Sequence, residues 1–526
     1  MASKNLFRGT PGKQIPETNT VNLAGGKAYA FSPKHALAQF AVTGCFRDTF
    51  YATDKDQLDT VKKLVQDVDS SFIAKTAVYA RTKGFMKDMP AFLACVLASR
   101  KDKESHELLG KIFPKVIDNG RMLRNFVQII RSGQTGRKSL GTMPRRLVRN
   151  FLNSHDGNWL FRNSVGNDPS FGDIVKMAHP RGDAEHEALY GYFIGAKMTP
   201  EKWNALPTLV NEFETWKSNK DAPPPEIPFE FLTAQQLTGE QWAKIFKKAG
   251  WHFTRMNLNT ALRHGVFEKE PELVGVVAAR LRDPEAIRKA RVFPYQLLAA
   301  YKHVSAEVPR EITGALHDAM EISVENVPEI KGKVFVFPDV SGSMSDPVTG
   351  HRDGATSKMT CVDIAALFSS CILRRNPNAR VVPVDTQVHI KSIIDPRDTV
   401  MTNSTKLAKF GGGGTSLSEA LKWMNGTKDV PDAVIFVSDN ESWVDSNRLY
   451  GGGTEMMVQF RETQKRNPNV KMVCIDINPS STTQASDSKG SILNVGGWSD
   501  RVFDVISAFL NGSKESWVDV IEKTEI

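Results

Sequence analysis

Cysteine is scarce: five in 526 residues, at Cys45, Cys95, Cys361, Cys371 and Cys474. Their number is odd, their spacing is scattered, and no C-x-x-C or zinc-type spacing occurs. A disulfide framework and a zinc site are therefore not expected. They read as buried free thiols in a reducing compartment, which points to the cytoplasm. No apolar run reaches the roughly 18 residues that a transmembrane helix needs. The polar start Met1-Ala2-Ser3-Lys4-Asn5 lacks the apolar core of a secretory signal. A glycine run at 411–414 is not followed by a phosphate-loop lysine, Asp339 has no D-x-D partner, and no second carboxylate cluster accompanies it. Hydrolase chemistry on a metal or nucleotide is therefore not expected.

What is present is globular: 40% hydrophobic and 24% charged residues, in a length that calls for two or three domains. The net charge of +9 is uneven. From Asn326 onward, 22 Lys and Arg face 24 Asp and Glu, so the first part of the chain carries roughly +11. Such a surplus suits a polyanionic partner, although a solubility surplus would look the same by charge alone.

The C-terminal part alternates strands and helices. Lys333-Val334-Phe335-Val336-Phe337, Arg380-Val381-Val382-Pro383-Val384, Ala433-Val434-Ile435-Phe436-Val437 and Met472 to Ile477 have strand length and apolarity. Helical periods run over Cys361 to Arg375, from Leu417 to Met424, and from Val502 to Leu510. The alternation predicts a doubly wound, mostly parallel α/β sheet over 330–526. Ligands in such sheets bind past the carboxyl ends of the strands. Asp339-Val340-Ser341-Gly342-Ser343 occupies that position after one strand, Asp439 follows another, and Thr415 closes the glycine run. One or two carboxylates with hydroxyls form an all-oxygen set suited to a hard divalent cation: Mg²⁺, with Mn²⁺ or Ca²⁺ left open.

Before residue 330 the periods are helical: Leu58 to Val68, Ile73 to Ala80, Phe92 to Leu97, Leu108 to Val116, and Leu123 to Ile130. One helix per roughly 20 residues makes a pair of about 40, the size of a HEAT or armadillo repeat, without a repeat signature at residue level. Breaks fall at Asp69-Ser70-Ser71, Lys101-Asp102-Lys103 and Asp118-Asn119-Gly120, and a longer one near Asp221-Ala222-Pro223-Pro224-Pro225. Arg137, Lys138, Arg145, Arg146 and Arg149 form a basic stretch in which Pro144 starts a helix, and Leu147, Val148 and Phe151 are expected on its buried side. Lys176, His179 and Arg181 form a second. Arginine suits phosphates and stacks on unpaired bases; a solvated helix face, and a structural histidine at 179, are the alternatives.

The metal loops resemble the metal-ion-dependent adhesion site of von Willebrand factor A domains. Asn22-Leu23-Ala24-Gly25-Gly26 followed by Phe50-Tyr51-Ala52, Met177-Ala178-His179-Pro180-Arg181, Arg291-Val292-Phe293-Pro294, and Ser438-Asp439-Asn440-Glu441-Ser442-Trp443 together resemble the Ro autoantigen family, built on the telomerase, Ro and vault module. The resemblance implies an all-α HEAT-like helical-repeat ring over 1–329 and a von Willebrand A domain over 330–526. It implies a monomeric, non-enzymatic protein without a membrane role. Such a protein would bind small noncoding Y-type RNAs and take single-stranded 3′ ends of misfolded RNAs into a central hole, serving RNA quality control. His179 matches the family histidine associated with Y RNA. A 3′-to-5′ exoribonuclease, or a protein carboxylate at the metal, are the implied further partners. A metal-dependent protein-interaction scaffold without RNA is the alternative reading.

Overall fold

The computed structural model describes residues 15–44, 46–290, 292, 294–327, 329–350, 358–391, 394–444, 452–486, 490–499 and 501–526. Residues 1–5, Cys45, Arg291 and Phe293, named above, lie outside the described residues. The chain forms two compact units. One comprises residues 68–323 with 523–526; the other joins residues up to Asp67 to Val324–Glu522. The crossover at Ser323/Val324 falls close to the boundary expected at 329/330. The residues before Val68, however, pack with the sheet rather than with the helices that follow them.

The first unit is a helical stack. Several of the breaks seen in the sequence are helix N-caps, whose side chains satisfy backbone donors that the first turn leaves free. Asp69 accepts from the Phe72 amide, Asp102 from Ser105 and Asn119 from Met122. Contacts recur at one helix-pair spacing. Ser70 meets Ser105 at 2.7 Å, the Arg81 guanidinium forks onto Asp118 at 2.7 Å, and Asn125 donates to Asp88 at 3.0 Å. These pairs are 35, 37 and 37 residues apart in sequence, close to the expected repeat of about 40. Gly120 starts one helix directly beneath the Asn163 carbonyl, where a Cβ would come within 2.0 Å of that oxygen.

In the second unit, Thr20–Val21 (β1) and Lys27–Ala30 (β2) form an antiparallel hairpin. The main sheet contains Val334–Pro338 (β3), Arg380–Val381 (β4), Ala433–Ser438 (β5), Lys471–Asp476 (β6) and Ile492–Gly496 (β8), all parallel, in the order β4-β3-β5-β6-β8. Thr482–Thr483 (β7) pairs with β2. β4 is shorter than the expected 380–384 run because Pro383 has no amide to donate, which an edge strand tolerates. The path still follows β3 beyond the proline, with the Val384 amide on Pro338 at 3.0 Å.

Side chains of β3 and β5 alternate between the two faces. Phe335, Phe337, Val434 and Phe436 pack on Leu421 and Met424 of the helix Leu417–Gly426 and on Met457 and Phe460 of the helix Glu455–Arg466. The helix Cys361–Arg375 packs against β3 and β5 as well. The strand order reverses between β3 and β5, and that reversal is where an open α/β sheet leaves a crevice. Cys95, Cys361, Cys371 and Cys474 are buried, and no disulfide joins them among the described residues. Among the described residues no helix is long and apolar enough to cross a membrane.

Candidate functional sites

The predicted metal ligands converge at this reversal. Asp339 leaves the end of β3 with its amide bound to the Val437 carbonyl at 2.9 Å. Its Oδ1 accepts the Ser341 amide at 2.8 Å, and its Oδ2 accepts the Ser438 hydroxyl at 2.6 Å. The Ser341 and Ser343 hydroxyls stand 3.3 Å apart. Asp439 leaves β5; its Oδ1 accepts the Glu441 amide at 3.3 Å, and its Oδ2 is buried without a hydrogen-bond partner. All five expected ligands, Asp339, Ser341, Ser343, Thr415 and Asp439, are buried.

The glycine run explains how Thr415 reaches the site. Gly342 donates to the Gly413 carbonyl at 2.8 Å and Gly412 to the Val340 carbonyl at 3.1 Å, so the two loops lie backbone to backbone. Gly411 holds φ +112°, and a Cβ there would sit 1.7 Å from the Val340 oxygen. Only glycine fits. The Thr415 carbonyl then accepts the amides of Trp443 and Val444 at 3.1 and 3.2 Å, tying this loop to the one that carries Asp439.

Sequence reasoning left out several residues here. Glu441 is enclosed beside Asp439, its Oε2 accepting the amides of Leu23 and Ala24 at 2.8 and 3.3 Å. Its one local signal was its place two residues after Asp439. Asp476, at the end of β6, accepts from Gln39 at 2.7 Å. Burial, and then the Asp439 charge, push Asp339 up to about 7 and Glu441 up to about 8. Burial also raises Asp439 and raises Asp476 well above the carboxylate range. Carboxylates crowded in a dry site resist ionisation unless a cation joins them. Among the described residues no three His, Cys, Asp or Glu side chains form a metal-ligand group by themselves. Two carboxylates completed by hydroxyls, with one buried carboxylate oxygen unpartnered, fit a hard divalent cation.

The second candidate is the basic surface of the helical unit. Over 68–323 there are 37 Lys and Arg against 28 Asp and Glu, so this unit carries the whole +9 of the chain and the sheet unit is neutral. The helix Thr142–Asn153 buries Pro144, Val148, Phe151 and Leu152. Leu147, expected on that side, is half-buried instead, because the buried stripe runs through Val148 and Leu152. Arg145 and Arg146 are exposed.

Arg149 is half-buried, with its Nε on the Ala178 carbonyl at 2.5 Å, and Asn153 donates to the Arg181 carbonyl at 2.6 Å. Together they fasten the turn after the helix Phe171–Ala178. His179 caps that helix in the left-handed region at φ +51°, with its side chain exposed. A left-handed non-glycine residue is strained and persists only where its surroundings impose it. Lys176 and Arg181 flank it and are exposed. Arg137 is half-buried and donates to the Ala98 carbonyl, while the neighbouring Lys138 is exposed. The structure thus sorts the predicted cations: Lys138, Arg145, Arg146, Lys176 and Arg181 face solvent, while Arg137 and Arg149 also bind backbone.

Comparison with known proteins adds independent findings. Residues 333–510 match the family described as the Ro60 vWA domain. The chain is 24% identical to the RNA-binding protein RO60 of Deinococcus radiodurans over 97% of its own length and 99% of that protein's. The crystal structure of the Deinococcus radiodurans RO (RSR) protein superposes with a TM-score of 0.63 at 21% identity, covering 91% of this chain and all of that one. That superposition bears on the fold.

Proposed function

This chain is a Ro-family protein, and from that premise we propose that it is a non-enzymatic RNA-binding protein whose helical unit holds the nucleic acid. The observation that carries the reading is the location of the charge: all of the net +9 lies in the helical unit. Exposed Arg145, Arg146, Lys176 and Arg181, with His179 held in a strained turn beside them, would contact phosphates and set the register of the RNA. The name of the Deinococcus relative supports the same class of partner.

The finer reading is binding of small structured Y-type RNAs together with single-stranded 3′ ends of misfolded RNAs, in RNA quality control, with a 3′-to-5′ exoribonuclease as partner. Unpaired bases can stack and thread where a duplex cannot. Four buried cysteines without a disulfide among the described residues support a reducing compartment such as the cytoplasm. A gel shift tests the proposal. Binding that weakens steeply with salt, and that prefers a hairpin with a free 3′ tail over a blunt duplex, is the expected result. Equal binding at low and high salt would sink it.

For the sheet unit we propose a divalent-cation site, Mg²⁺ first, formed by Asp339, Ser341, Ser343, Thr415 and Asp439. Bound there, the cation would neutralise the buried carboxylates and offer a position to a partner's carboxylate. Exposed Leu23, Phe50, Trp443 and Val444 lie in segments that touch these loops. They favour a protein partner at this site, in addition to RNA on the helical unit.

A further inference from the structure

In the helical unit, two short helices, Trp251–Met256 and Leu258–Arg263, are separated by a break at Asn257. Arg255, Leu258 and Asn259, from either side of that break, line a cavity of about 280 Å³. Ala299, Ala300 and His303 of the helix Pro294–His303 line it as well. Asn259 ties the helices together: its Nδ2 donates to the His303 carbonyl at 2.7 Å and its Oδ1 accepts the Ser305 amide at 2.8 Å. The His303 Nδ1 donates to the Ala299 carbonyl at 2.7 Å. The volume lies near the lower edge of the range of small-molecule sites, about 300–1,000 Å³. Among the described residues no Asp or Glu lines the cavity.

Arg255 is the one permanent charge in this lining. A guanidinium has five N–H donors and does not deprotonate. Arg255 commits Nη1 to the Gln296 carbonyl at 2.7 Å, and its enclosed Nε has no partner. Its guanidinium stands over the Trp251 ring, 5.9 Å from the centroid, and the Trp251 Nε1 is anchored on the Leu281 carbonyl at 3.0 Å. Arg280 in the same unit is satisfied differently. It spends Nη1 on the Phe246 carbonyl at 2.8 Å and the Thr254 hydroxyl at 3.0 Å, and Nη2 on the Lys247 carbonyl at 2.9 Å. Among the described residues Arg255 has no carboxylate partner, and an enclosed cation without one is costly. An anion from outside the chain would supply what is missing. Arginine's planar fork matches phosphate oxygens, and the net +9 of this unit draws phosphate-bearing ligands towards it. Leu258, Ala299 and Ala300 offer the apolar surface that a base needs.

We propose that this cavity is a binding site for a single nucleotide, with the phosphate ester on Arg255 and the base against Leu258, Ala299 and Ala300. The phosphate ester is common to a free mononucleotide and to one unit of an RNA strand. Calorimetry of the full chain with uridine monophosphate, and fluorescence anisotropy of a labelled single-stranded RNA, distinguish the two sources. Arg255→Gln removes the charge and retains a donor for the Gln296 carbonyl. Ala300→Leu fills the cavity and keeps Arg255. Each is expected to weaken binding about 10-fold or more, whereas Arg263→Gln, at an exposed arginine nearby, leaves it as it was. A loss seen with uridine monophosphate assigns the site to a free nucleotide; a loss seen with the strand alone assigns it to a nucleotide within RNA. If the melting midpoint falls with Arg255→Gln, Ala300→Leu decides. RNA binding indifferent to both changes, with no binding of uridine monophosphate, sinks this proposal and leaves the RNA reading standing. Uridine monophosphate bound through Arg255 without any RNA binding does the reverse. Binding of neither ligand overturns both. Equal losses with Arg263→Gln would also overturn the site, since they would report general charge and not this cavity.

Discussion

At the scale of single residues, the buried carboxylates make opposed demands. Without a cation, Asp339 and Asp439 destabilise one another at neutral pH; in the proposed site a bound cation would turn them into its anchors. Asp439→Asn should therefore raise metal-free stability by about 1 kcal/mol and abolish the increase in melting temperature that the proposed site predicts for the unsubstituted protein with Mg²⁺. Differential scanning fluorimetry with and without Mg²⁺ reads both. His35 gives a separate pH signature. It stacks on Phe31 at 4.0 Å and meets the edge of Trp517, and its Nε2 is enclosed without a hydrogen-bond partner. Burial lowers its pKa to about 4. The folded protein thus binds fewer protons there than the unfolded chain. The stability this secures is full above about pH 6.5 and is lost as pH falls towards 4, amounting to about 3 kcal/mol. His35→Phe should flatten that part of the curve in denaturant titrations at pH 7 and 4.5. The proposed ligands Asp339, Ser341 and Ser343 stood out in the sequence because one short loop contains them. Glu441 was not legible as part of the site, since its contacts to Leu23 and Ala24 join residues more than 400 positions apart.

At the scale of elements, legibility followed length and apolarity. β3, β5 and β6 stood out because burial on both faces demands continuous apolar runs. The hairpin strands and β7 are two to four residues long, too short to leave a period. Their hydrogen bonds, and not their composition, define them. Asn22 closes the hairpin turn through the Gly26 amide at 2.6 Å while donating to Ser442. Asn22→Ala should cost about 1–3 kcal/mol by leaving buried partners unmatched, measured by urea unfolding. In the helical unit, the caps at Asp69, Asp102 and Asn119 were visible as breaks, whereas the outward direction of Arg145 and the backbone bond of Arg149 needed the packed helices. Arg149→Ala should loosen the turn at His179, whereas Arg145→Ala should leave it intact. Hydrogen exchange at residues 178–182 would distinguish the two.

At the scale of the whole molecule, the two units divide the chemistry. The charge imbalance was readable by counting along the chain. The assignment of the first 67 residues to the sheet unit was not, because the pairing of β2 with β7 spans more than 450 positions. Phosphate contacts release counterions, so each lost contact should reduce the salt dependence of RNA binding by a log–log slope of about 0.7 to 0.9. The most direct test is fluorescence anisotropy of a labelled hairpin RNA with a single-stranded 3′ tail across a salt series. It compares the unsubstituted chain with Arg145→Glu/Arg146→Glu/Lys176→Glu and with Asp439→Asn. The account predicts that the triple change weakens binding at least 100-fold, about 3 kcal/mol, and flattens the salt slope, while Asp439→Asn leaves RNA affinity unchanged. RNA binding that survives the triple change with its salt slope intact, or that disappears with Asp439→Asn, would contradict it.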